Sequence, residues 1–277
     1  MQALSYSDSS RHEADGYRYD GQSCDDLARA VGVPRLIIME TVGSTMDIAH
    51  RFAGEGTPSG TMILADRQTA GRGRGGKVWE SRPGQGIWLT LVERPRDERA
   101  IEVMSIRVGL AAAKALDRFA EEPIRLKWPN DLYTGGKKLA GILVEARWRE
   151  GKPEWVAIGI GINVIAPAEV VTAAGLDNGA SRLEVLEEVT ALVRNALRLT
   201  GSLTGAELAE FETRDLALGH MCIEPANGEV RGITERGELV VALADSVVRL
   251  RSGSLLLHGE VRFDTTDDRS DGAKDRI

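Results

Sequence analysis

The chain reads as an α/β (α+β) protein followed by a small all-β unit, and three observations lead there. From Arg35 to about Leu216, apolar runs of strand length alternate with stretches whose apolar residues recur at helical spacing. After Leu218 the pattern changes to short β-like runs separated by Gly, Asn and Asp. The 277 residues are 42% hydrophobic and 28% charged, a globular balance sufficient for one large domain or two smaller ones.

The elements follow in order. Residues 1–22 are polar and aperiodic and read as a loose N-terminal segment. Cys24 to Val31 fits two helical turns before Gly32 and Pro34, and Arg35 to Glu40 fits a strand. Ser44 stands at an N-cap position, so Met46 to Ala53 reads as a helix. Gly60–Asp66 and Ile87–Glu93 are strands flanking a loop rich in glycine and arginine. Ile101 to Ala120 reads as one helix, followed by strands at Ile124–Trp128, Leu139–Ala146 and Trp155–Ile162. Helices are expected at Leu183–Leu199 and Ala206–Phe211. The β-like runs are Met221–Ile223, Gly228–Ile233, Glu238–Leu243, Ser246–Arg251 and Leu255–His258, as in a small barrel. The expected division is an N-terminal segment at 1–34, a main domain at 35–216, a β unit at 217–260 and a disordered tail at 261–277.

Several function classes recede on composition. The net charge of −7 argues against nucleic acid as the main partner. Cys24 and Cys222 match no metal or redox spacing, and the four histidines are scattered. No apolar leader opens the chain, and the most apolar window, Trp155–Leu176, is interrupted by glycines, Asn163 and Pro167. A cytoplasmic protein with no membrane partner is the expectation.

Two segments carry chemistry. The loop Gln68–Trp79 contains Gly71, Arg72, Gly73, Arg74, Gly75, Gly76 and Lys77. Glycine lets backbone N–H groups approach a ligand, and the cations suit carboxylate or phosphate. Gly71, Gly73 and Gly76 also satisfy a dinucleotide-binding pattern. That pattern must open a helix, whereas Pro83, Gly84, Gly86 and a strand follow here. The kinase glycine-loop pattern also fits, but no further kinase element follows. The second segment runs from Lys127 to Glu145 and holds three of only seven lysines: Lys127, Lys137 and Lys138. A flexible basic loop and a basic hairpin are the plain structural alternatives.

Taken together, GRGRGGKVW (Gly71–Trp79), KWPND with KLAGILVE (Lys127–Glu145), GIGINV (Gly159–Val164) and Gly43-Ser44-Thr45 resemble the biotin protein ligase family, of the monofunctional type without a DNA-binding domain. The resemblance implies a mixed central sheet with flanking helices and an SH3-like C-terminal β domain. It implies that biotin and Mg-ATP form biotinyl-5′-AMP. The biotinyl group then passes to a lysine of a biotin carboxyl carrier protein, such as an acetyl-CoA carboxylase subunit. On this pattern Lys138, Arg72 and Arg74 are catalytic. Ser44, Thr45, Met46, Gln68, Arg72, Gly73, Arg74, Lys138 and Gly141 line the biotin site. Lys77, Trp79, Asn130, Asp131 and Asn163 line the nucleotide site, with Asp131 a magnesium contact directly or through water. Met46 replaces the family's asparagine, and Gly75 and Lys77 stand where arginine is frequent. A lipoate protein ligase and a non-catalytic biotin sensor or repressor are the competing readings.

Overall fold

A computed structural model describes residues 17–95, 97–176 and 179–260. The expectations for residues 1–16 and for the tail at 261–277 lie outside them. The first elements are α1 (Cys24–Val31), β1 (Arg35–Val42), α2 (Thr45–Gly54), β2 (Thr61–Gln68), β3 (Gly86–Glu93), α3 (Glu98–Glu102) and α4 (Met104–Leu116). Next come β4 (Arg125–Lys127), β5 (Asp131–Thr134), β6 (Lys137–Arg149), β7 (Lys152–Asn163), α5 (Arg182–Ala196) and α6 (Gly205–Arg214). The last five strands are β8 (Met221–Glu224), β9 (Gly228–Ile233), β10 (Leu239–Ala242), β11 (Val247–Leu250) and β12 (Leu256–Leu257).

The first seven strands form one mixed sheet in the order β1-β2-β3-β7-β6-β5-β4. Only β1 and β2 pair in parallel; the other pairs are antiparallel. One face carries α4 and α5 over a core that includes Leu64, Leu89, Ile142, Ile158 and Ile160. On the opposite face α2 covers Ile37, Ile63, Val92 and Ala157 through Met46, Ala49 and Phe52. Each strand therefore presents alternate residues to two different layers.

Local sequence signals match local structure. Ser23, Ser44, Asp97 and Thr204 cap α1, α2, α3 and α6, each accepting a hydrogen bond from a backbone N–H in the first turn. Two expectations are corrected. The helix expected over Ile101–Ala120 is two helices, interrupted at Val103 (φ −103°, ψ 2°) and ending in a 3-10 turn from Asp117. The loose segment expected through residue 22 is anchored from Tyr19 onward. Tyr19 is fully buried, donates its hydroxyl to Gly86 O at 3.3 Å and lies under Arg182 at 4.3 Å. Arg182 in turn binds Asp20 and Asp66.

The last five strands make a second antiparallel sheet, β11-β10-β9-β8-β12. Its buried side shares one continuous core with the first sheet, with Cys222, Val230, Leu239, Val241 and Leu257 joining Trp128 and Ile106. Trp128 Nε1 donates to Gly237 O at 2.9 Å across the junction. Three of the arginines on this unit are paired: Arg231 with Glu229, Arg236 with Glu102 and Arg251 with Glu238. Among the described residues, no helix is long and apolar enough to cross a membrane.

Candidate active site

The half of the sheet that α2 leaves uncovered is floored by glycine. Gly159 and Gly161 alternate on β7, and Gly141 pairs with Gly161 across to β6. These three positions turn to the same face as Thr90 and Trp88 on β3 and Asp131 on β5. The absence of side chains there makes a shallow trough. It is filled by Met46 and Trp79. A Cβ on Gly159 would lie 2.9 Å from Met46 Sδ, one on Gly161 2.6 Å from the Trp79 indole, and one on Gly141 2.9 Å from the same ring.

Lys138 reaches this face because β6 is bulged. Leu132 pairs with Ala140 and Tyr133 with Lys138, so one extra residue, Leu139, is inserted in β6. Strict alternation from Gly141 would turn Lys138 to the helical side. The bulge instead lays its side chain over Gly141, with Nζ 2.8 Å from Asp131 Oδ1 and 5.3 Å from the Trp79 ring. Asp131 Oδ1 nevertheless makes no directed hydrogen bond. Arg74 approaches the same carboxylate from the loop and donates to Gly253 O in the β11–β12 connection at 3.4 Å. Partial burial lowers the Arg74 pKa and Asp131 opposes that shift. Among the described residues Arg74 has no carboxylate within ion-pair distance, so its charge is available to an incoming anion.

A row of polar groups closes the other end. Ser44 is buried and caps α2, accepting from Met46 N. Thr45 N and Oγ1 donate to Gln68 Oε1 at 2.9 and 3.1 Å, and Gln68 Nε2 donates to Ser81 Oγ at 3.0 Å. Thr90 Oγ1 donates to Thr45 Oγ1 at 2.9 Å. Beside this row Gln68, Gly71, Trp79 and Ser81 line a cleft of about 680 Å³. The arrangement offers adjustable hydroxyl and amide groups at one end and cations at the other. That suits a ligand with a neutral polar head and an anionic tail.

The glycine-arginine loop folds as a small hairpin, with Arg72 bridging Val78 and Gly73 N donating to Lys77 O at 2.7 Å. Positive φ is required at Gly75 (+64°) and Gly76 (+78°). Gly73, at φ −113°, does not need it. Arg72, an expected catalytic residue, is ion-paired in this conformation. Its guanidinium lies 2.8 Å from Asp47 on α2 and 3.6 Å from Glu145 on β6, so here it tethers the loop. Glu145 is itself held by His50 at 2.8 Å, and His50 Nδ1 accepts from Trp155 Nε1.

The other expected residues divide. Met46 turns its side chain into the core over Gly159, leaving its backbone alone near the polar row. Asn130 ties β5 to β6, with its amide donating to Ile142 O at 2.7 Å. Lys77 is exposed on the loop. Asn163 is buried at the end of β7 opposite Gly86. Trp79 rests on the glycine floor with its Nε1 buried and without a partner. Sequence reasoning singled out Lys127 within KWPND without giving it a site role, and missed Tyr133 and Glu260. Lys127 shares the face of Asp131, 5.6 Å from the Tyr133 ring, and is ion-paired to Glu260 at 2.6 Å. The lysine was visible within KWPND, but its partner is 133 residues away.

Residues 38–163 match the model of the biotin/lipoate A/B protein ligase family. The chain is 40% identical over 130 residues to a protein of Bacillus spizizenii named bifunctional ligase/repressor BirA, a match covering 47% of this chain and 40% of that protein. The chain thus spans well under half the length of that relative. It is 29% identical over 243 residues to the biotin--[acetyl-CoA-carboxylase] ligase of Mycobacterium tuberculosis, covering 79% of this chain and 87% of that one. A solved structure of the biotin protein ligase from Aquifex aeolicus, in complex with biotin and ATP, superposes with a TM-score of 0.67 at 28% identity, covering 81% of this chain and 99% of that one.

Proposed function

We propose that this chain, whose residues 38–163 match the biotin/lipoate A/B protein ligase family model, joins biotin to ATP and passes the biotinyl group to a lysine of a biotin carboxyl carrier protein. The observation that carries this reading is the convergence of Lys138 and Arg74 on Asp131, over a floor of Gly141 and Gly161 and beside the Ser44–Thr45–Gln68 row.

In the first step a carboxylate oxygen of biotin attacks the α-phosphorus of ATP, and pyrophosphate leaves with the bonding pair. Both reactants are anions, so the barrier includes their repulsion. Lys138 and Arg74 offset it, and they do so in a cleft that the loop shields from water. Thr45, Gln68 and Ser81 take the polar ring system, while the bare glycines admit the aliphatic tail. Trp79 lies on that floor in the present conformation, so binding moves the indole upward to cover the ligand. In the second step the carrier lysine amine attacks the activated carbonyl and AMP leaves.

Magnesium enters with ATP as part of the substrate. Asp131 is the carboxylate beside Lys138, and its Oδ1 lacks a directed hydrogen bond. One carboxylate suits an ion held otherwise by phosphate oxygens and water. The named relatives favour biotin over lipoate. ATP–pyrophosphate exchange with each acid tests the choice: exchange driven by biotin supports it, and exchange driven by lipoate alone overturns it. Cytoplasmic location is part of the same proposal.

A further inference from the structure

The two arginines of the loop are held at different places along the trough. Arg74 stands at the Lys138 end and donates to Gly253 O. Arg72 reaches Asp47 and Glu145 instead. Gly141, Leu143 and Glu145 alternate onto one face of β6, opposite Gly161, Gly159 and Ala157 of β7. Glu145 therefore stands about 13 Å along the strand from Gly141.

The carboxylates that receive Arg72 are oriented without the loop. The Trp155 Nε1 hydrogen can only be donated, so His50 Nδ1 accepts it at 3.0 Å. His50 Nε2 then carries the hydrogen that it gives to Glu145 Oε2 at 2.8 Å. Arg72 Nη2 lies 3.6 Å from the same oxygen. Asp47 precedes His50 by one turn of α2 and sets Oδ1 2.8 Å from Arg72 Nη2. Among the described residues Asp47 has no other ion-pair partner. The helix and the strand that frame the trough thus each give one carboxylate to one guanidinium. Were Arg72 to turn to an anionic ligand, two carboxylates would be left facing each other. Arg74 has no carboxylate within ion-pair distance and meets an anion without that cost.

We propose that Asp47 and Glu145, the latter oriented by His50, clasp Arg72 and so hold the loop across the trough while biotin and its activated form are bound. This rests on the biotin reading above. Both are positioning residues: they act on the loop through Arg72 and touch no reacting atom. The clasp slows escape of the ligand from beneath the loop and leaves the chemical step unchanged. Asp47 is 62% exposed and Arg72 39%, so each contact is modest and is screened by salt.

Amide hydrogen exchange on the ligand-free full chain reads the clasp at Gly73 and Trp79, whose N–H groups donate to Lys77 O and Gly71 O within the loop. Exchange there rises about two- to fivefold in Asp47→Asn and in Glu145→Gln, and about tenfold in the double variant. In the parent it also speeds up between low salt and about 1 M salt, and in the double variant it does not. A packing role would give no such salt response. Dissociation of biotin quickens by a like factor in the variants, whereas pyrophosphate exchange at saturating biotin and Mg-ATP keeps the parent rate. Unchanged loop exchange in the variants, a salt response absent from the parent or retained in the double variant, or slowed pyrophosphate exchange with unchanged biotin dissociation overturns the clasp. The loop is read without ligand, and pyrophosphate exchange by the parent tests biotin activation, so the two failures are distinguishable.

Discussion

Gly161 shows at the residue scale how an absent side chain builds the site. Its built Cβ meets Trp79 Cε2, Nε1 and Cζ2 at 2.6 to 2.9 Å. Gly161→Ala therefore lifts the indole off the floor. Overpacking of this kind costs about 1–3 kcal/mol, and the tryptophan emission of the ligand-free protein should shift toward that of a wetter ring. Unchanged fluorescence and unchanged melting would mean that Trp79 does not rest on this glycine. The sequence displayed Lys138 and Gly141 within one motif, and the structure sets the lysine side chain over that glycine. The sequence did not display that Gly141 and Gly161 are cross-strand partners, because register between distant strands is set by tertiary packing. Arg72 and Arg74 look equivalent in the sequence. They differ only because Asp47 and Glu145 lie beside one and not the other.

At the element scale, two irregularities aim the chemistry. The bulge at Leu139 turns Lys138 onto the site face, and nothing in KKLAG announces it. The loop hairpin needs its reversal at Gly75 and Gly76, where φ is positive. A Cβ at position 76 meets no neighbour within 4 Å, but valine must adopt φ near +78° there, which costs about 1–2 kcal/mol. Gly76→Val should lower global melting by a few degrees at most and reduce the protection that biotin gives the loop against protease. Equal protection in both proteins would show that this turn does not govern loop closure. Most strands and helices were legible from periodicity within a few residues. The break at Val103 was not, since no Gly or Pro marks it. The docking of Tyr19 was hidden because its partners Gly86 and Arg182 come later in the chain.

At the scale of the whole molecule, the change in sequence character after Leu218 located the second sheet but not the core it shares with the first. Asp215 marks the junction. It is 3% exposed, its Oδ1 accepts from Ala217 N at 2.8 Å, and Leu216 N donates to Leu126 O. Burial raises its pKa to about 6, with Ala217 and Arg125 opposing. An acid raised in the folded state binds its proton more tightly there than when unfolded. Its stabilising contribution is full below about pH 4 and is lost as pH rises through 6. Asp215→Asn should therefore be more stable than the parent at pH 8, by about 1–3 kcal/mol, with the gap closing at pH 4. A gap that is constant with pH would remove Asp215 as its cause.

The central claim is that Lys138, set over the glycine floor beside Asp131 and Arg74, serves the joining of a biotin carboxylate to the α-phosphate of ATP. The most direct measurement is biotin-dependent ATP–pyrophosphate exchange by the parent chain and by Lys138→Ala, with melting curves of both proteins taken without ligand. The account predicts exchange by the parent that requires biotin, a loss of at least about a hundredfold in the variant, and nearly coincident melting. Exchange at the parent rate in Lys138→Ala, or none by the folded parent with biotin and Mg-ATP present, would contradict it.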